Sequence, residues 1–414
     1  MPKKRANNTG SVYPDKQRGG SRAQLTLDDG QRIGKRFPVA DDSDDERERA
    51  ENEAYGWLHE QLHLQNKGAL VRPSDITLGE WLGDYLELYS KPSVRQRSFE
   101  RNLSVAKHCN PIADYKLQDL KPNHIQKLYA SIPLSGETKR KVHVLLTSAL
   151  AQAVRNGLLY TNPMDGVIAP KVTREEVEIF AREEVEALLS AAKGHRWYPA
   201  LLLAAHTGMR LSEVLGLRWQ DVDVDGKTVH IRQTLQVGST GFIFDEPKTK
   251  NSRRKISIPA NVATILKELR KQYMESLLPK TDKRGLCFTT SVNTPIGPRN
   301  FERWWESLQK ECCPEYKKLC HRRQQLSGLK QTDTKEFKDV VKKIAEVAKA
   351  NHKKFHALRH THATELLAAG VPVIDVSRRL GHAKPSTTLD LYGHAIPGND
   401  QKVAQKAGKL YRLK

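Results

Sequence analysis

The chain has 414 residues, enough for two to four domains at roughly 100–200 residues each. Its 69 Lys and Arg against 48 Asp and Glu leave a formal charge of +21, which points to a polyanion, nucleic acid first and an anionic membrane surface second. No stretch approaches about 18 uninterrupted apolar residues, the start MPKKRANNTG has no apolar signal core, and five cysteines are too few and too uneven for a disulfide framework; neither a membrane span nor secretion is expected, and a cytoplasmic setting is. The charge is unevenly placed: +6 over 1–40, −6 over 41–76, +4 over 77–170 and +17 over 171–414.

In chain order, Gly10–Tyr13, Arg22–Leu27 and Gln31–Phe37 read as strands, with Asp28-Asp29-Gly30 as the turn between the last two. These strands carry Arg22, Arg32, Lys35 and Arg36, which suit either a solvated sheet or a β-ribbon entering a major groove. A helix follows from Asp44, with Ala54, Trp57, Leu58 and Leu62 as its apolar stripe and an acidic start matched to the helix dipole. Residues 65–75 read as a linker. Helices are then expected over Thr77–Tyr89, Ser93–Lys107, Lys121–Ser131 and Gly136–Asn156, the first opened by a Thr77/Glu80 capping box. Their polar faces hold Arg95, Arg97, Arg101, Lys139, Arg140 and Lys141, placed either to lie along a duplex or simply to be solvated. From about Lys171 the pattern is mixed: helices over Arg182–Ala192, Tyr198–His206 and Leu211–Leu217, strands over Thr228–Leu235, Gly241–Asp245 and Lys255–Ile258, then helices over Asn261–Leu278, Asn300–Lys310, His356–Ala369, Val373–Leu380 and Pro385–Tyr392. Turns are expected at Asp225-Gly226 and Lys250-Asn251-Ser252.

No Walker loop, no GxGxxG after a strand and no convincing zinc spacing is present; Cys312, Cys313, Cys320 and His321 come nearest, but adjacent cysteines poorly suit one tetrahedral ion. What stands out is a set of cations and imidazoles near turns. Arg210 sits at a helix start in HTGMRLSE, and Lys248 lies in a β turn. His356 and Arg359 share one helix face in HALRHTHAT. His382 follows a Gly stop in LGH, and Tyr392 lies ten residues on. Each alone has an ordinary structural reading. Together they suit phosphoryl transfer: two arginines to hold phosphate oxygens, histidines to bond them or move protons, a lysine to protonate a leaving alkoxide, a tyrosine to attack.

These residues in this order resemble the tyrosine recombinase, or phage integrase, family. The resemblance covers most of the chain and is strongest at 206–223, 356–364 and 380–394. Within the family it is similar to integrases of phages and conjugative transposons that have an N-terminal arm-binding domain. It implies a multidomain, mainly α fold with small β elements. Residues 1–66 would form an arm-type DNA-binding domain, a three-stranded sheet plus helix. Residues 76–168 would form a helical, SAM-like core-binding domain, and residues 171–414 the mixed α/β catalytic domain. It further implies that Arg210 and Arg359 clamp the scissile phosphate, that His356 and His382 bond it and assist proton transfer, and that Lys248 is the general acid. Tyr392 would be the nucleophile, giving a 3′-phosphotyrosine, and Glu213 a supporting acidic residue. One ester replaces another, so neither metal nor other cofactor is expected.

The stretch Lys310–Phe355 is longer than the family's usual connection and carries 13 Lys and Arg against 6 Asp and Glu. It is read as an inserted basic segment, about 311–352, with a helix at Thr334–Ala350, for DNA or protomer contact. The tail Asn399–Lys414 reads as a short helix that packs on the next protomer or on its own domain. The expected partners are double-stranded DNA at core and arm sites, three further copies of the chain on DNA, and host bending and directionality factors. Two other readings are a type IB topoisomerase, which shares the chemistry, and a non-catalytic architectural DNA-binding protein.

Overall fold

The computed structural model describes residues 10–17, 19–27, 32–41, 43–66, 74–173, 177–247, 252–275, 284–329, 331–332 and 334–393. The chain divides into two compact units, 1–174 and 175–414. The expected Asp28–Gly30 turn and the tail helix fall outside the described residues, as do Lys250 and Asn251 of the expected second β turn.

The first unit holds two separate hydrophobic cores. In the first, strands β1 (Ser11–Pro14), β2 (Ser21–Thr26) and β3 (Arg32–Phe37) form an antiparallel sheet in the order 1-2-3. Ala23, Leu25, Ile33 and Phe37 bury against Ala50, Ala54 and Leu58 of helix α1 (Asp44–Asn66), which recur every four residues and so share one helical face. The register sets Arg22 opposite Arg36 and Thr26 opposite Arg32, so the three arginines line the sheet's other face. Arg36 is already engaged there, 3.2 Å from Asp15 and donating to the Gly19 carbonyl. Lys35 falls on the opposite parity, its ammonium over the Phe37 ring.

The second core is helical: α2 (Leu78–Tyr85), continued by a π turn at Leu86–Ser90 and a one-turn α3 (Lys91–Ser93), then α4 (Gln96–Ala106), α5 (Pro122–Ser131) and α6 (Gly136–Arg155). The expected capping box is present: Thr77 Oγ1 accepts from Glu80 N at 3.2 Å and Thr77 N donates to Glu80 Oε2 at 2.8 Å. Trp81 ties α2 to α6 by donating its indole N–H to the Ala149 carbonyl at 2.9 Å. Arg95, Arg97, Arg101, Arg140 and Lys141 are exposed, and Lys139 is half-buried. Lys141 pairs with Glu137 one turn back.

The second unit opens with α7 (Arg182–Ala191), α8 (Tyr198–Thr207) and α9 (Leu211–Leu215). Strands β4 (Val222–Asp223), β5 (Thr228–Ile231) and β8 (Arg254–Ser257) make an antiparallel sheet, and β6 (Thr234–Gly238) with β7 (Gly241–Asp245) a separate hairpin. The single strand expected over Thr228–Leu235 is thus two, in two sheets. Arg232 and Gln233 leave both ladders, and the Gln233 side chain donates from Nε2 to the Gly216 carbonyl at 3.1 Å. The α9 helix likewise ends two residues before the expected Leu217, because Gly216 caps it and packs directly beneath β6.

Helices α10 (Ala260–Glu275) and α11 (Pro298–Cys312) complete the main core around Phe301 and Trp305. The inserted segment is two helices rather than one: α12 (Pro314–Gly328) and α13 (Lys335–Ala350), packed as a hairpin. The α12 helix is hard to read because Arg322 and Arg323 interrupt its apolar face between Cys320 and Leu326. Its base is closed by α11: Trp305 donates to the Lys353 carbonyl at 2.8 Å, and Gln309 Oε1 accepts from Lys353 N at 2.9 Å. The insertion therefore leaves the following helices in place. These are α14 (Ala357–Ala368), α15 (Val373–Leu380) and α16 (Pro385–Tyr392), which share a small core of Ala363, Leu367, Val376, Leu380 and Tyr392. Among the described residues no helix is long and apolar enough to cross a membrane.

Candidate active site

Two left-handed glycines build the site. Gly208, at φ +64°, ends α8 and turns the chain so that Arg210 caps α9. A Cβ at Gly208 would lie 2.8 Å from Leu380 Cδ2 and 2.9 Å from His362 Cδ2, so only glycine fits without displacing its neighbours. Gly381, at φ +71°, ends α15, and His382 N turns back to the Ser377 carbonyl at 3.1 Å. That reversal delivers His382.

Arg359 joins the two turns. It is 2% exposed, and its guanidinium donates to the Gly208 carbonyl at 2.8 Å and the Leu380 carbonyl at 2.7 Å. Arg210 Nη1 donates to Glu213 Oε1 at 2.9 Å while keeping about a third of its side chain open to solvent. Glu213 is itself buried and also accepts two bonds from Arg254, at 3.1 and 3.0 Å. Burial alone would raise the Glu213 carboxyl; Arg254 and Arg210 overcome this and hold it below the usual range. Arg359 is drawn down to about 9, first by burial and then by Arg210. Three arginines around one carboxylate give the cluster a net positive charge that suits an anion.

The imidazoles share this field. His356 caps α14 with part of its surface open; burial of the rest, then His360, Arg359 and Arg210, lower it to about 4. His382 is lowered to about 4 by burial, then Arg359 and Arg210, and its Nδ1 lies 2.8 Å from the buried Thr388 hydroxyl. Tyr392 is 1% exposed, its ring parallel to His382 with centroids 6.5 Å apart. Burial raises its hydroxyl against the pull of Arg359 and Arg210.

Thus Arg210, Glu213, His356, Arg359, His382 and Tyr392, all singled out from sequence, come together. Lys248 lies outside the described residues. Beside the Arg254 strand, Arg218, Arg232, Arg253 and Lys255 line a groove that also holds Asp245 and Glu246, the latter paired with Arg253. The DNA-facing candidates Arg22, Arg32, Lys35, Arg36, Arg95, Arg97, Arg101, Lys139, Arg140 and Lys141 belong to the other unit. Three residues escaped the sequence reading. Arg254 sits in a basic run where nothing marks it as buried. Arg379 donates to His362 Nε2 at 3.0 Å and to the His206 carbonyl at 2.8 Å. His360 meets the Tyr392 hydroxyl; its spacing four residues after His356 was the one available signal. No group of three His, Cys, Asp or Glu side chains arranged to hold a metal occurs among the described residues.

Four site imidazoles, His356, His360, His362 and His382, are lowered, His362 furthest at about 3 by burial and then Arg379. Unfolded histidine titrates near about 6.5. Between that value and the folded ones the unfolded chain binds more protons, so stability rises with pH there. The DNA-free protein is expected to lose stability steadily as pH falls from about 6.5 toward 4, and to be insensitive to these groups above that window. Urea unfolding midpoints across pH 5 to 8 check this; a midpoint that is flat below about 6.5 contradicts it.

The sequence pattern of the phage integrase family matches residues 178–397, and that of its N-terminal SAM-like domain matches 77–132. The XerC-like tyrosine recombinase of Caldanaerobacter subterraneus subsp. tengcongensis is 28% identical over 396 residues, covering 88% of this chain and 90% of that protein. The ICEBs1 integrase of Bacillus subtilis is 25% identical over 333 residues, covering 78% and 80%. In fold, the chain is similar to the Tn1549 transposon integrase solved with a circular intermediate DNA, at TM-score 0.62, 18% identity and coverage of 81% and 100%. The lambda integrase tetramer bound to a Holliday junction gives 0.50, 16%, 93% and 96%. The chain belongs to the phage integrase family. It is a tyrosine recombinase, an enzyme of site-specific DNA cleavage and rejoining.

Proposed function

We propose that the chain integrates and excises a mobile element by exchanging strands between two DNA sites through a Holliday junction, with Tyr392 as the nucleophile. The observation that carries this reading is the arrival of the Tyr392 hydroxyl, on α16, beside the Arg210, Arg359, His356 and His382 cluster. Tyr392 Oη attacks the scissile phosphorus, leaving a 3′-phosphotyrosine and a free 5′ hydroxyl. Arg210 and Arg359 stabilise the charge on the non-bridging oxygens, His356 and His382 hydrogen-bond them, and Lys248 protonates the departing O5′. Glu213 orients Arg210 and compensates Arg254. The phosphotyrosine conserves the broken bond's energy for rejoining, so no cofactor is required.

Residues 1–66 serve as the arm-type domain, 76–168 as the core-binding domain, and 171–414 as the catalytic domain with the α12–α13 hairpin inserted. Arg22 and Arg32 on the open sheet face, with Arg95, Arg97, Arg101, Arg140 and Lys141 on the helical domain, supply phosphate contacts; Lys35, Arg36 and Lys139, partly committed within their own domains, contribute less. Four copies assemble on two duplexes, as the lambda integrase does on a Holliday junction. Host bending and directionality factors join them.

The test is a plasmid carrying two attachment sites. Recombinant junctions are expected; relaxation of supercoils without any junction would favour the topoisomerase reading instead.

A further inference from the structure

The Tyr392 hydroxyl has a partner to which the assignments above give no role. His360 Nδ1 lies 2.6 Å from Tyr392 Oη, inside hydrogen-bond range of the atom that would form the new ester. We propose that His360 is the general base of the cleavage step, taking the Tyr392 proton as the hydroxyl attacks, an inference that rests on Tyr392 being the nucleophile.

The other two imidazoles are placed for different work. His382 spends Nδ1 on Thr388, and its ring lies parallel to the tyrosine ring rather than pointing at the hydroxyl. His356 stands one helical turn before His360, edge to face with it at 4.7 Å, and is the more exposed of the two. His360 alone of the three meets Oη at bonding distance, and it does so from the first turn of α14. The groups that face it are Tyr392 from α16, His382 from the turn after α15, and His356 and Arg359 from its own helix. Burial, then Arg359, hold His360 below the ordinary imidazole value, so the ring is uncharged at neutral pH, and in the tautomer with its proton on Nε2 the Nδ1 lone pair accepts from the Tyr392 hydroxyl.

The step balances. The Oη–P bond forms and the P–O5′ bond breaks; the phenolic proton moves to His360 Nδ1, and O5′ leaves with a proton from the general acid. In rejoining, O5′ gives its proton back to that acid, attacks phosphorus and expels Oη, which recovers its proton from the His360 imidazolium.

The experiment uses the full chain on a nicked suicide duplex under single-turnover conditions, over about pH 5.5 to 8.5. His360→Ala is expected to form the covalent adduct at least about 100-fold more slowly at neutral pH. The acid-side loss of rate in the parent should give way to a steady rise with pH, as hydroxide takes the proton, and added imidazole should restore part of the rate. His360→Asn presents a carbonyl that can accept the same hydrogen bond but no proton, and should remain slow while binding the duplex as tightly as the parent. It also keeps the test decisive where the alanine variant fails to fold. Parental rate in His360→Asn, or a parental pH profile in His360→Ala, overturns the proposal and leaves the nucleophile intact. Adducts in Tyr392→Phe would instead overturn the reading on which it rests.

Discussion

Tyr392→Phe is expected to abolish the covalent protein–DNA adduct on a nicked suicide substrate while leaving non-covalent binding of the same duplex nearly unchanged. The substitution removes one oxygen. The ring remains packed against Leu380, Val376 and Ala363 in the small core, so the fold loses only the hydroxyl's bond to His360, worth about 1 kcal/mol. On the proposed mechanism the chemistry loses its nucleophile entirely, and among the described residues no other tyrosine belongs to the cluster. Denaturing gels of labelled substrate, paired with gel-shift affinities, separate the two effects. Undiminished adducts would mean that another residue attacks.

Glu213→Gln should produce the largest loss of stability. Glu213 is 2% exposed and compensates Arg254, itself only 6% exposed at the side chain, along with the partly open Arg210. Removing the negative partner leaves a buried guanidinium uncompensated, a change that costs about 3–5 kcal/mol. That is a large share of the roughly 5–15 kcal/mol that keeps a domain folded. Urea denaturation measures it directly. Replacing both partners, Glu213→Leu with Arg254→Leu, is expected to recover much of the stability and none of the activity, because Arg210 would lose its positioning carboxylate. If the double variant were no more stable than the single one, the buried pair would not be the reason for the loss.

The local elements of the fold were largely legible because their signals are local. The Thr77/Glu80 box, the four-residue spacing on α1 and the glycine stop before His382 each act within one or two turns of chain. The site's ordered residues were legible through the family resemblance. What stayed hidden depends on partners far away in sequence. Arg254 is buried only because Glu213, 41 positions earlier, meets it. His360 matters only because α16 brings Tyr392 to it, 32 positions later. The break between β5 and β6 goes with a side-chain bond from Gln233 to the carbonyl of Gly216, 17 positions earlier. The first helix of the insertion was missed because two arginines obscure its apolar stripe.

The Arg359 joint also bears on how such proteins can be recombined with one another. One guanidinium is bonded to carbonyls that end two different helices, Gly208 at one and Leu380 at the other, with Gly208 pressed against His362 and Leu380. Segments around 206–210, 356–362 and 379–382 therefore form one indivisible part, although some 170 positions of chain separate their ends. A chimaera that exchanges any one of them for a relative's version inherits a mismatched joint. The sheet-and-helix module and the helical module near the N-terminus, each with its own hydrophobic core, carry no such restriction. Exchanging either of those modules for a relative's should accordingly leave a folded protein, whereas exchanges within the second unit should not.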